Sequence, residues 1–127
     1  MAIKFKAIQK AQPGVAGGGE KKWYASPVTN GEASLDDLTK AIEKICTVSG
    51  ADIRAVLYAL VDVSVDQLSN GTIVRMGDLG SLRASIKSEG VAEEKDVSES
   101  IVKSSSIIFT PGSRLKDMLA TVKYKKA

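Results

Sequence analysis

Residues 53–68 set the strongest constraint on this chain. Ile53, Val56, Leu57, Leu60, Val61, Val63, Val65 and Leu68 carry helical spacing, but they are too many for one stripe. A helix this apolar needs cover on more than one side. At 127 residues the chain is long enough for one domain with a real core but not for two. The most economical second cover is another copy of the molecule, so this helix predicts a dimer. Ser49 with Asp52 three residues later forms an approximate capping box that starts the helix. Asn70-Gly71 marks the turn after it, because Asn tolerates and Gly favours positive φ.

The elements around this helix follow from local pattern. Ser34 as N-cap, Asp36 and Asp37 in a first turn, and Leu35, Leu38, Ile42 and Ile45 on one face predict an amphipathic helix over 36–47. Past Asn70-Gly71, Thr72-Ile73-Val74 predicts a short strand, and Gly77-Asp78-Leu79-Gly80 a turn. Leu82, Ala84 and Ile86 then alternate with Ser81, Arg83 and Ser85, which predicts a second strand with one apolar and one polar face. Residues 87–102 are polar, acidic and weakly patterned, so they predict an exposed loop or a short helix near 93–99. Residues 103–110 predict a third strand, Pro111-Gly112-Ser113 a turn, and 114–122 a last helix with Leu115, Met118, Leu119 and Val122 inward. Lys123 to Lys126 read as a basic tail.

At the N-terminus, residues 2–10 alternate Ile3, Phe5 and Ala7 against Lys4 and Lys6, a strand pattern. Pro13-Gly14 and Gly17-Gly18-Gly19 make residues 11–19 a loop, and 21–28 resume as a strand. The glycines lack the Gly-Lys-Ser/Thr ending of a nucleotide-binding loop, so a hairpin connection is the expectation. Trp23 and Tyr24, beside Lys21 and Lys22, could stack on bases; packing of the strand onto a core is favoured.

The formal net charge of +3 is unevenly spread. Residues 1–28 hold five lysines and one glutamate; residues 105–127 hold five basic groups and one acid. Residues 29–86 hold five basic and eight acidic groups, and residues 87–104 three lysines against five carboxylates. Basic ends can bind polyanions such as nucleic acid or form an ordinary solvated surface. No apolar run approaches a membrane span, and the first residues lack the apolar run of a signal peptide. The single Cys46, expected to be buried, allows no internal disulfide, and a cytoplasmic setting is expected. The absence of histidine removes the commonest general base and transition-metal ligand. Asp36-Asp37 and Glu93-Glu94 are adjacent in sequence and would diverge on a helix, so no enzyme, metal, cofactor or small-molecule substrate is expected.

Two motifs now bring a family into view. Leu68-Ser69-Asn70-Gly71 leads into Val74-Arg75-Met76-Gly77-Asp78-Leu79-Gly80-Ser81-Leu82-Arg83, and Phe109-Thr110-Pro111-Gly112-Ser113-Arg114-Leu115-Lys116-Asp117 follows in the right order. Residues 35–122 resemble the HU/integration host factor family of bacterial histone-like proteins. In that family the first stretch is a strand, a Gly-Phe-Gly-Thr-Phe turn and a strand; the second is Phe-x-x-Gly-Lys-x-Leu-Lys-Asp. The N-terminal strands are similar to those of an HU-like subgroup with such an extension.

The resemblance implies an α+β fold. Two N-terminal helices would lie under a three-stranded antiparallel sheet, with a short C-terminal helix, an intertwined homodimer and two arms that clasp DNA. It divides the chain into an N-terminal β extension, 1–30, and an HU-like DNA-binding domain, 31–127. It implies a largely sequence-non-specific architectural protein that condenses DNA in the cytoplasmic nucleoid. The family's arms end in an Arg-Asn-Pro motif whose proline wedges between base steps. Residues 87–104 carry neither arginine nor proline, so bending by a proline wedge is not expected. The candidate DNA contacts are Arg75, Arg83, Lys87, Lys103, Gly112, Ser113, Arg114 and Lys116, with backbone N–H groups of residues 77–81 and, more weakly, Lys4, Lys6, Lys21 and Lys22. The alternative is an HU-fold structural or protein-interaction module that has lost DNA clasping.

Overall fold

The computed structural model describes residues 1–12, 14 and 16–127; the Pro13 part of the expected loop lies outside the described residues. The described residues form a mixed α+β structure with three α-helices and two three-stranded sheets. Helix α1 spans Leu35–Glu43, α2 Gly50–Ser69 and α3 Ser113–Thr121. The strands are β1 Ile3–Lys10, β2 Lys22–Val28, β3 Val74–Arg75, β4 Gly80–Ser88, β5 Val102–Pro111 and β6 Tyr124–Lys126.

Helix α1 starts where its cap predicts. The Asp37 N–H donates to the Ser34 hydroxyl at 3.1 Å, and the Ser34 N–H donates to the Asp37 carboxylate at 3.0 Å, a reciprocal capping box. These bonds from Ser34 hold the Asp37 carboxyl below the ordinary aspartate range. Their stabilisation is therefore present above that range and is lost as pH falls through the lowered value. The helix ends at Glu43, earlier than expected. The N–H groups of Ile45 and Cys46 both turn back to the Ile42 carbonyl, and the chain leaves the helix toward the Ser49 cap of α2. Ile45 and Cys46 consequently lie exposed rather than buried.

Helix α1 packs on α2, and Thr39, fully buried, donates its hydroxyl to the Leu35 carbonyl at 2.7 Å. Arg54 Nε lies 3.5 Å from Asp36 Oδ1 across the same contact. On α2 only Ile53 is buried among the apolar residues, at 6% exposure, with Leu57 and Leu68 half-buried; Val56, Leu60, Val61, Val63 and Val65 are exposed in the single chain.

The β3-β4-β5 sheet is antiparallel, with Arg75 opposite Ser81 and Leu82 opposite Phe109. Its apolar face, including Ala84 and Ile107, meets Val65 and Leu68 of α2. β3 is shorter and later than the expected 72–74 strand. It pairs with only the first residues of β4, so β4 and β5 run on as a two-stranded ribbon to Ser88 and Val102. The acidic segment beyond them contains two short 3-10 turns, Glu94–Asp96 and Glu99–Ile101.

The second sheet has the order β2-β1-β6, with β1 antiparallel to β2 and parallel to β6. The expected basic tail is thus a strand, tied by the Ile3 N–H to the Lys123 carbonyl at 2.8 Å and the Ala127 N–H to the Phe5 carbonyl at 2.9 Å. A three-residue strand gives too short a pattern to read from sequence. Trp23 and Tyr24 are both exposed, contrary to their expected packing on a core. Leu115 on α3 and Val122 just after it are half-buried, whereas Met118 and Leu119 are exposed; this short helix packs mainly on the 77–79 turn and β5.

Two glycines fix how α3 meets the hairpin turn. Gly80 sits at φ +142°, and a Cβ there would strike the Thr110 carbonyl and the Phe109 ring. At Gly112 a Cβ would strike the Asp78 carbonyl. Gly77 also has positive φ, +61°, but open space around it. Gly112→Ala is expected to cost about 2 kcal/mol or more through backbone overpacking. Gly77→Ala is expected to cost only about 1 kcal/mol. Urea denaturation at fixed protein concentration measures both, and equal costs would contradict the close-approach assignment.

Candidate nucleic-acid interface

Pairing and alternation place the charges on the β3-β4-β5 sheet. Arg75 is opposite Ser81, and Ser81, Arg83, Ser85 and Lys87 alternate along β4 on the face away from α2. Across from them on β5 lie Thr110, Ile108, Ser106 and Ser104. Arg75, Ser81, Arg83 and Thr110, with Ile73, line one shallow groove of about 150 Å³. Arg75, Arg83 and Lys87 are exposed, and none forms an ion pair among the described residues. The face is therefore a stripe of free cations set among hydroxyls. Arginine, lysine, serine and threonine are the side chains that contact phosphate oxygens.

The start of α3 lies at the β3-β4 turn. Gly112 is its N-cap, and Asp78, Leu79, Arg114 and Leu115 line a shared groove of about 350 Å³. Two expected anion contacts are committed internally here. The Gly112 N–H donates to the Leu79 carbonyl at 3.0 Å, and the Ser113 hydroxyl donates to Asp78 Oδ1 at 2.9 Å. Nearby, the Leu79 N–H points to the Met76 carbonyl at 3.4 Å and the Met76 N–H donates to the Gly80 carbonyl at 2.8 Å, so the turn's backbone is partly self-satisfied. Asp78 supplies the negative charge that the positive end of α3 favours, which offsets Arg114 and Lys116 in its first turn. The sequence did not show this, because Asp78 and Ser113 are 35 residues apart.

The remaining candidates are separated. Lys103 lies where the β4-β5 register shifts and pairs with Glu89 at 3.0 Å, so its charge is shared at the base of the acidic ribbon tip. Lys4, Lys6 and Lys22 lie on the other sheet, and Lys21 immediately precedes it. Cys46 is exposed. No helix is long and apolar enough to cross a membrane among the described residues.

With this geometry in place, the chain can be set against known proteins. A family model described as an HU domain fused to a winged helix-turn-helix, immunoglobulin-like or glycine-rich motif matches residues 1–126. The chain belongs to this HU family. The match takes in the N-terminal strands as well as the helical and hairpin region that carried the resemblance. The HU-family chain is also similar in fold to a solved structure of a candidate DNA-binding protein from Bacteroides vulgatus. The two share 16% identity with a TM-score of 0.66 over 99% of this chain. The chain spans about half of that protein, 49% of its length. No match is found among curated protein sequences.

The arginine face is free of structural duty in the single chain, which separates binding from folding. Arg75→Ala and Arg83→Ala should each change unfolding free energy by no more than about 0.5 kcal/mol. Phe109→Ala, on the opposite face of the same sheet, should destabilise clearly. Denaturant midpoints of the three variants provide the comparison.

Proposed function

We propose that this HU-family chain is an architectural DNA-binding protein. It acts as a homodimer that contacts the phosphate backbone without sequence preference and condenses DNA in the nucleoid. The observation that carries the reading is the unpaired Arg75–Arg83–Lys87 stripe among the hydroxyls of Ser81, Ser85 and Thr110. Such contacts position a duplex but carry no base information. Arg114 and Lys116 extend the basic surface past the turn, and Lys103 is a weaker contributor because Glu89 holds it. The five carboxylates of residues 87–104 oppose clasping by the ribbon tip, so duplex lies along the sheet body. No enzymatic step is assigned. In this reading residues 1–30 are an extension and residues 31–127 the DNA-binding body.

Dimerisation is supported by the area the single chain leaves open. A folded monomer of 13.4 kDa exposes roughly 6,500 Å². This chain exposes 10505 Å², an excess of roughly 4,000 Å². Obligate homodimers bury roughly 1,000–2,500 Å² or more per partner, so part of this excess, which includes the apolar residues of α2, suffices for such an interface. Val61→Lys is expected to abolish the dimer together with cooperative unfolding; sedimentation equilibrium of the parent chain should give twice 13.4 kDa.

Binding to a 30–40 base-pair duplex (roughly two to three sites for a small dimer) should fall steeply with added salt. Arg83→Ala combined with Arg114→Ala should weaken it for every sequence tested and flatten the salt dependence by about 0.9 per lost contact. Absence of any gel retardation at low salt would overturn the DNA reading. It would favour a protein-interaction module on the same fold.

A further inference from the structure

The β2-β1-β6 sheet gathers five of its six lysines on one face. One continuous register pairs Phe5 with Pro27, Ala7 with Ala25 and Gln9 with Trp23, while Ile3 pairs with Tyr124. Paired residues share a face, and alternate residues along a strand share it too. The other face thus holds Ile3, Phe5, Trp23, Pro27 and Tyr124 together with Gln9 and Lys126, and four of the apolar residues line one groove with Ala25. The reverse face holds Lys4, Lys6, Lys10, Lys22 and Lys125, with Ile8, Tyr24, Ser26 and Val28 between them.

We propose that this lysine face is a second duplex-binding surface, which grips the DNA phosphate backbone separately from the arginine stripe of the other sheet. It rests on the reading that duplex DNA is the ligand of this chain.

Three observations carry it. First, all five lysines are exposed, the three strands contribute no carboxylate, and none of the five enters an ion pair among the described residues. Second, the register sets Lys10 directly opposite Lys22 and Lys4 directly opposite Lys125. Like charges directly opposite on neighbouring strands destabilise a sheet, and β6 has only three residues to resist the repulsion. A polyanion laid across the face converts that repulsion into attraction. Third, β6 comes from the opposite end of the chain, so tertiary pairing joins the two basic termini into one surface.

A lipid surface is the less favoured partner. Interfacial membrane binding combines basic and insertable apolar groups on one side of an element. Here Phe5, Trp23 and Tyr124 lie on the reverse side from the five lysines; of the apolar residues beside those lysines, Ile8 and Val28 are half-buried and only Tyr24 is exposed. Duplex DNA needs only the charge, and its dense line of phosphates matches an extended cationic face.

The test uses the full chain and a fluorescein-labelled 36-base-pair duplex (roughly the length of two to three small-dimer sites), with anisotropy read across a salt series. The variants are Lys4→Gln/Lys10→Gln, the same pair with Lys6→Gln, Lys22→Gln and Lys125→Gln added, and a five-fold Lys→Arg control. The slope of log affinity against log salt should flatten by about 0.9 for each contact removed, so by about 1.8 in the double variant and about 4.5 in the five-fold variant for each chain bound. The arginine control should keep the parent slope. Without DNA, the five-fold Gln variant should melt no lower than the parent, because repulsion is relieved. The double variant gives the graded readout should the larger one fold poorly.

Binding by the parent with an unchanged slope in both Gln variants overturns this inference and leaves the arginine stripe standing. Absence of parent binding overturns the DNA reading itself. A parallel arm measures binding to phosphatidylserine-containing vesicles; loss of vesicle binding in the Gln variants with DNA affinity intact assigns the face to lipid and overturns the proposal. A change in self-association without a change in DNA slope assigns it to the acidic ribbon tip of another copy, and overturns it equally.

Discussion

Helix α2 has more apolar surface than this chain can cover, and the rest of the structure is arranged around that excess. Helix α1 covers one part at Thr39 and Ile53, and strands β3 and β4 pack on another, leaving an open groove lined by Val65, Leu68, Ala84 and Ile107. Val56, Val61 and Val63 remain open. Hydrophobic burial is the dominant favourable contribution to folding, so a chain with one buried aliphatic side chain among those described is under-stabilised alone. The proposed pairing of two copies supplies the missing cover. It would also hold two arginine faces in fixed relation, which an architectural protein requires.

The junction of the β3-β4 turn with α3 is the most tightly determined local feature. Backbone approaches backbone at Gly80 and Gly112, and the Asp78–Ser113 bond closes the contact. This junction fixes where Arg114 stands relative to the sheet. It also explains why a helix can carry two cations in its first turn, since the carboxylate lies at the same end. The groups that make the junction are unavailable to an external phosphate, which moves the binding reading from the turn's backbone to the arginine and hydroxyl side chains of the sheet.

Charge is segregated along the same architecture. Five of the fifteen acidic residues lie in the short ribbon tip, while the outer face of the β3-β4-β5 sheet and the N-terminal sheet carry unpaired cations. Exposed charges act within about 10 Å at ordinary ionic strength. The carboxylates at the tip therefore repel a duplex there without cancelling attraction at the body. An arm of this composition is better suited to limiting how far DNA wraps than to clasping it.

Much of the architecture was legible in the sequence. Period-two alternation in 81–86, the Ser34 and Ser49 caps and the glycine spacing gave the helices, the hairpin and the family motifs, because each depends on residues within a few positions of one another. What failed was whatever depended on distant partners. Trp23 found no core, and residues 124–126 became a strand only by meeting β1; the early end of α1, which exposed Cys46, is the local exception. Of the candidate contacts, the Arg75 and Arg83 alternation was readable locally, whereas the commitments of Gly112, Ser113 and Lys103 were not. Sequence alone determined the local elements and their amphipathic faces, since periodicity and capping are short-range physics. Tertiary structure alone decided which charges remain free, since that depends on partners 35 residues apart, as for Asp78 and Ser113, or at opposite ends of the chain, as for Lys4 and Lys125.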